Sequence, residues 1–239
     1  MTTLYQHGTL AQLMAKEMAG TITIQELKKH GDTGIGTLDG LDGEVIFLAG
    51  ETYQADSTGT VNHITDELTT LPFATVHFDE LATSSELNLN KVAFENLSDI
   101  LSNQQITNVF SALKVHGQFS RVHVRIAPKQ SRPYPSLLEV AQMQPEFERE
   151  NVAGTLLGYY SPAVFGGVSA PGWHLHFLSD DHTFAGHVLD FSAVSIIGTL
   201  QIFDDFIQHL PVENSAFRSI NQDMSGLHEG IEASEGGKR

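Results

Sequence analysis

The sequence predicts an α/β protein of the α+β-like kind, with mixed or antiparallel sheets and few helices. Three observations point there. Short β-rich runs punctuated by glycine fill the second half of the chain, and only three stretches carry a helical period. With 239 residues and 41% hydrophobic content, the chain can bury a core as one large domain or two small ones.

The elements follow in order. Thr9 with Gln12 forms a capping box, and Leu10, Leu13, Met14 and Met18 recur at helical spacing before Gly20, predicting a short amphipathic helix. Thr23 with Glu26 repeats the signal, with Ile24 and Leu27 on the apolar side and Gly31 as the stop. A third helix is expected from about Asn88 to Leu101, where Leu89, Val92, Ala93, Leu97, Ile100 and Leu101 fit a buried stripe. Strands are expected at Glu44–Leu48, Ala74–Phe78, Ser111–Val115, Phe119–Ile126, Gly154–Tyr160, Trp173–Leu178, Phe184–Phe191 and Ala193–Phe203. The three prolines within Pro128–Pro135 cannot continue a ladder and predict an extended crossing. Beyond it, the charged, turn-like Pro145–Glu150 stretch is where a domain border is expected, giving units 1–148 and 149–239. A short internal echo relates Ile35–Leu38 and Thr75–Phe78 to Ala153–Leu156 and His174–Phe177, as two related β-rich halves would.

Charge and composition narrow the function. Thirteen basic against 29 acidic side chains give a net charge of −16, which repels polyanions, so neither nucleic acid nor an anionic membrane is expected as a partner. Cysteine is absent, so a tightly held metal must use His, Asp or Glu, and the chain has 12 histidines. Met1–Tyr5 shows no basic or apolar leader pattern, and no stretch approaches the roughly 18 apolar residues of a membrane span. The expectation is a cytoplasmic protein.

The most informative stretch is Pro171-Gly172-Trp173-His174-Leu175-His176-Phe177. In a strand, residues two apart share a face, so both imidazoles point one way and Leu175 the other. Ser179-Asp180-Asp181-His182-Thr183 reads as a hairpin turn, and the returning strand carries Gly186 and His187. A two-residue turn at Asp180-Asp181 sets His187 opposite His174, and a turn one residue later sets it opposite His176. Either register puts the third imidazole beside the first two, unless a bulge at Gly186 intervenes. Three neutral nitrogen donors on one face suit a catalytic metal that keeps a position open, with iron, manganese and zinc undistinguished by ligand type. His182 is expected to be solvated in the turn and His77 to be at most a neighbour of the site. His7, His30, His63, His116, His209 and His228 show no partner pattern.

Two further features bear on chemistry. In Phe119–Ile126, Val122, Val124 and Ile126 are expected on one face and Arg121, His123 and Arg125 on the other, where an arginine could fix an anion beside the metal. Gly31-Asp32-Thr33-Gly34-Ile35-Gly36-Thr37 implies tight turns and is not a phosphate loop, since no Lys-Ser/Thr follows.

These residues resemble the α-acetolactate decarboxylase family over nearly the whole chain. The similarity is carried by Gly31-Asp32 through Gly36-Thr37, Leu41-Asp42-Gly43-Glu44, Pro128-Lys129-Gln130-Ser131-Arg132-Pro133-Tyr134-Pro135, Gly154-Thr155-Leu156, the Pro171–Phe177 block and Gly186-His187-Val188-Leu189. The resemblance implies two β-rich domains, the second barrel-like and carrying the metal, and a homodimer joined through the first domain's sheet. It implies Zn2+ on His174, His176 and His187, with Glu44, Arg125, Thr37 and a C-terminal glutamate in the site, placed at Glu235 with Glu232 as the alternative in the same Ile231–Glu235 run. The implied activity is decarboxylation of the anion 2-acetolactate (2-hydroxy-2-methyl-3-oxobutanoate) to (R)-acetoin and CO2. There the metal would hold the electron pair as an enediolate, Arg125 the carboxylate, and one glutamate the proton to be delivered.

Two other classes stay open on the sequence. A cupin-like metal-dependent dioxygenase or isomerase shares the His-x-His pattern, although Asp180 stands where that motif prefers Glu and the spacing from Gly167 is off. A non-enzymatic structural-zinc domain would need a fourth protein ligand.

Overall fold

The computed structural model describes residues 1–220 and Gly230, and its strands fall into two large sheets and one small pairing. The chain opens with β1 (Thr3–His7) and helix α1 (Leu10–Met14). Thr9 and Gln12 form the expected capping box, the Thr9 hydroxyl accepting from Gln12 N–H while the Gln12 side chain returns to Thr9 N–H. The helix stops before Met18, because Ala15 caps it and Lys16 turns into the left-handed region at φ 64°. After β2 (Ile22–Thr23), Thr23 caps helix α2 (Ile24–Leu27).

There follow β3 (Thr33–Leu38), β4 (Asp42–Leu48), β5 (Glu51–Ala55), β6 (Val61–His63), β7 (Thr70–Leu71) and β8 (Phe73–His77). β2 and β7 pair with each other. Next come β9 (Ser85–Ala93), α3 (Leu97–Ile100), β10 (Ser111–Arg125), α4 (Leu137–Met143), β11 (Glu146–Ser161), β12 (Gly172–Ser179) and β13 (Ala185–Ile202). β14 (Asp205–His209) and α5 (Ser215–Arg218) complete the described elements.

The first sheet has the order β14-β1-β8-β3-β4-β5-β6, antiparallel except for the parallel β1–β14 pair. The second runs β10-β11-β12-β13-β9, and β10 pairs with β13 as well as with β11, so four strands close into a barrel-like ring. The fold is mostly β with short helices, the α+β-like class. The chain changes sheets between β8 and β9 and returns with β14, so residues 148 and 149 lie side by side within β11.

The expected helix from Asn88 to Leu101 is a correction. Residues 88–93 belong to β9, and only Leu97–Ile100 is α-helical. Leu87, Asn88, Leu89 and Asn90 alternate inward and outward with period two, and β13 offers them a ladder, so pairing outweighs the helical stripe read from Leu89 onward. Elsewhere expected neighbours fuse. Ser111–Val115 and Phe119–Ile126 are one strand through Gly117, and Phe184–Phe191 and Ala193–Phe203 are β13. Gly117 permits this because β13 passes against it, where an added Cβ would lie 2.1 Å from the Ser195 carbonyl oxygen.

Two cores follow from strand alternation. Val122, Val124, Leu175, Phe177, Val188 and Phe191 fill the ring. On the opposite face of the same strands, Leu157, Tyr159, Leu178 and Ala185 pack against Ile35 and Ile46 of the first sheet. Ile126 was expected with Val122 and Val124 but packs in this second core, since β10 ends at Arg125 and Ile126 N–H bonds Pro145 O instead. His174 and His176 therefore face the first sheet while Leu175 points into the ring.

Candidate metal centre

The β12–β13 hairpin sets its register at His176↔His187, Phe177↔Gly186 and Leu178↔Ala185, the later of the two turns weighed from sequence. His182 takes φ 51° in that turn and is exposed. One potential ligand nitrogen from each of His174, His176 and His187 lies within 4.8 Å of the others, and the ring centroids are 4.7–5.6 Å apart. An irregularity in the β10–β13 ladder between His123 and Val124 resets the pairing so that Arg125 stands opposite His187. Arg125 is buried, and its Nη2 comes within 3.4 Å of His187 Nε2.

The first sheet supplies the other wall. His176 Nδ1–H donates to Val45 O of β4 at 3.0 Å, which fixes its tautomer and aims the Nε2 lone pair at the cluster. That Nε2 is buried with no hydrogen-bond partner, 3.4 Å from Glu44 Oε2. Burial, with the Arg125 guanidinium second, pushes His174 down to about 3. Burial, with His174 next, holds His176 well below the usual imidazole range. Both rings are thus neutral, the form that binds metal, and an orphaned buried nitrogen in a three-imidazole set fits a divalent ion.

Glu44 is placed by a turn only glycine can make. Gly43 adopts φ 77°, and a Cβ there would lie 2.2 Å from Ala55 O. Glu44 Oε1 then accepts from Ala127 N–H at 3.0 Å, at the start of the proline-rich crossing, leaving Oε2 toward the histidines. A ladder irregularity between Gly36 and Leu38 re-aims Thr37, whose hydroxyl donates to Gly43 O at 2.8 Å. The crossing runs without regular structure over residues 126–136 and is tied down by Gln130 N–H to Gly40 O and by Arg132 with Glu17.

Thr37, Glu44, Arg125 and the three histidines line one open cleft, with Leu10, Leu13, Phe73 and Leu137 among its apolar walls. Among the described residues lining it, Arg125 is the only fixed cation. Glu232, Glu235 and His228 lie outside the described residues. His77 is elsewhere, with its Nδ1 2.8 Å from the Tyr159 hydroxyl and its Nε2 3.4 Å from Asp79. Asp180, the acid a cupin motif would need, is on the surface beside His116. The sequence reading missed the Val45 carbonyl, the Ala127 amide and Gln144, which also lines the cleft. Backbone groups leave no residue signature, and Gln144 sits in no motif.

The alpha-acetolactate decarboxylase family model matches residues 4–224. The chain belongs to the alpha-acetolactate decarboxylase family. It is 40% identical to the alpha-acetolactate decarboxylase of Lactococcus lactis subsp. cremoris over 98% of this chain and 99% of that one. The alpha-acetolactate decarboxylase of Bacillus subtilis is 31% identical over 98% of this chain and 91% of its own length. A crystal structure of the B. subtilis enzyme superposes with a TM-score of 0.92, covering 98% of this chain and 99% of that one at 30% identity. A Staphylococcus aureus protein described as similar to alpha-acetolactate decarboxylase gives a TM-score of 0.93 at 38% identity, over 98% and 100% of the two chains. The protein is thus an enzyme of the acetolactate decarboxylase class.

Proposed function

We propose that this family member is a metal-dependent decarboxylase that converts 2-acetolactate to (R)-acetoin and CO2, with Zn2+ on His174, His176 and His187. The observation that carries this reading is a trio of histidines, two buried and one half-buried, opening on a cleft that holds one arginine and one glutamate. A bound divalent ion would supply the positive charge that stabilises the electron pair left when CO2 departs.

This chain's own residues do the rest. Arg125 pairs with the substrate carboxylate, orienting the C–C bond that breaks, and its burial strengthens that pairing. Glu44, with Oε1 held by Ala127 N–H, presents Oε2 to deliver the proton that creates the new stereocentre. Glu235 is the alternative donor that the family resemblance implies. Thr37 donates its own proton to Gly43 O and so offers only lone pairs to the cleft. The apolar walls from Leu10, Leu13, Phe73 and Leu137 limit solvent, so that protonation comes from a fixed side chain on one face.

The open cleft argues against a closed structural-zinc site, and the surface position of Asp180 argues against a cupin-like oxygenase. A homodimer joined through the first domain's sheet, domain units at 1–148 and 149–239, and a cytoplasmic location belong to the same proposal. Sedimentation, limited proteolysis and cell fractionation test them. The decisive assay follows CO2 release from acetolactate with and without a chelator, under air and under nitrogen. Release lost on chelation, restored by Zn2+ and indifferent to oxygen is the expected result, and full release from metal-free enzyme would overturn it.

Arg125→Ala should keep fold and metal content but lose a charge-assisted contact worth about 1.5–3 kcal/mol, a roughly 10- to 150-fold fall in kcat/KM. A near-normal kcat/KM would remove Arg125 from substrate binding.

A further inference from the structure

Gln144 follows α4 and precedes β11, and its Oε1 is buried without a hydrogen-bond partner while its side chain lines the metal cleft. An orphaned buried amide oxygen costs stability, so its retention calls for a donor that arrives with a ligand. Resting on the decarboxylase reading above, the substrate class is a 2-hydroxy-3-oxo acid. At neutral pH such an acid has one hydrogen-bond donor, the tertiary hydroxyl, since its carboxylate and ketone only accept.

That hydroxyl and the carboxylate sit on the same carbon, so the groups recognising them must be neighbours. Ile126 N–H bonds Pro145 O at 3.1 Å, and Arg125 is the ladder partner of Glu146. These backbone contacts hold the segment carrying Gln144 against the end of β10 that carries Arg125, and both residues line the same cleft. We propose that Gln144 is a specificity-determining residue whose Oε1 accepts the hydrogen bond of the substrate's 2-hydroxyl, next to the carboxylate held by Arg125. It selects 2-hydroxy acids over those lacking that donor.

The test uses two competitive inhibitors of acetolactate turnover, 2-hydroxyisobutyrate and its methyl ether, 2-methoxyisobutyrate, against zinc-loaded wild type, Gln144→Met and Gln144→Glu. Wild type should prefer the hydroxy acid by about tenfold or more, and Gln144→Met should lose most of that preference. Bulk added by the methyl group is common to all three proteins and cancels in the comparison. Gln144→Glu keeps an acceptor and should keep the preference, although both anions bind it more weakly. Without ligand, Gln144→Met should melt about 2–4 °C higher, as removal of a stranded acceptor predicts, whereas a merely structural glutamine would make it melt lower. An unchanged preference in Gln144→Met, or its loss in zinc-loaded Gln144→Glu, overturns the assignment even if the other variant fails to fold. The two readings separate in the same run. A wild type that does not decarboxylate acetolactate fails the parent reading, while an active wild type with no hydroxyl preference fails this one alone.

Discussion

Replacing His176 with alanine is expected to abolish turnover and stoichiometric metal binding together. The imidazole is 1% exposed, anchored by Nδ1–H to Val45 O, and its unpartnered Nε2 is aimed at the other two rings. Two histidines remain in the variant, too few to hold a tightly bound catalytic ion. The loss should exceed the roughly 10- to 100-fold that removing a supporting partner of a metal ligand costs. Because the substitution also removes the hydrogen bond to Val45 O and leaves a cavity, it should be paired with His174→Ala at the half-buried position. Metal per chain by atomic spectroscopy, CO2 release and thermal melting are read together. A folded His176→Ala or His174→Ala protein that turns over at the normal rate without metal would reject the site.

Glu44→Gln is the second large effect. Glutamine matches glutamate in shape and its oxygen can still accept from Ala127 N–H, so fold and metal content should be retained. The variant has no carboxylic proton to give, and loss of a general acid lowers kcat by about 10²- to 10⁴-fold. The product would then be protonated without a fixed donor on one face, and its enantiomeric excess should fall. Chiral chromatography of the acetoin alongside steady-state kinetics checks both. Near-normal kcat with (R)-acetoin intact would transfer the donor role away from Glu44.

Much of this arrangement was legible in the sequence because strands have a strict period of two. His174, Leu175 and His176 could be assigned faces from spacing alone, and either hairpin turn returned His187 to the same side. The short helix caps at Thr9 and Thr23 were equally readable, since a cap is a local pattern. What sequence did not show is long-range. Residues 88–93 carry part of a helical stripe in the sequence and form strand because β13 lies beside them and offers a ladder. Polar strands such as β1, β5 and β14 carry little apolar signal and owe their state to pairing within the first sheet. The contacts that orient the site, Val45 O to His176 and Ala127 N–H to Glu44, join the first sheet to the ring and to the crossing through backbone atoms, which no side-chain motif encodes.

The ring of four strands is fastened between β12 and β13 by only three residue pairs, and one of those pairs is His176 with His187. An ion gripping both imidazoles would therefore act as a rivet across the narrowest seam of the barrel. Loading such an enzyme would raise its resistance to heat and protease in proportion to how tightly the ion is held. Starved of metal, the same molecule would be expected to fray first along this seam, making trace-element supply a determinant of how long each copy survives.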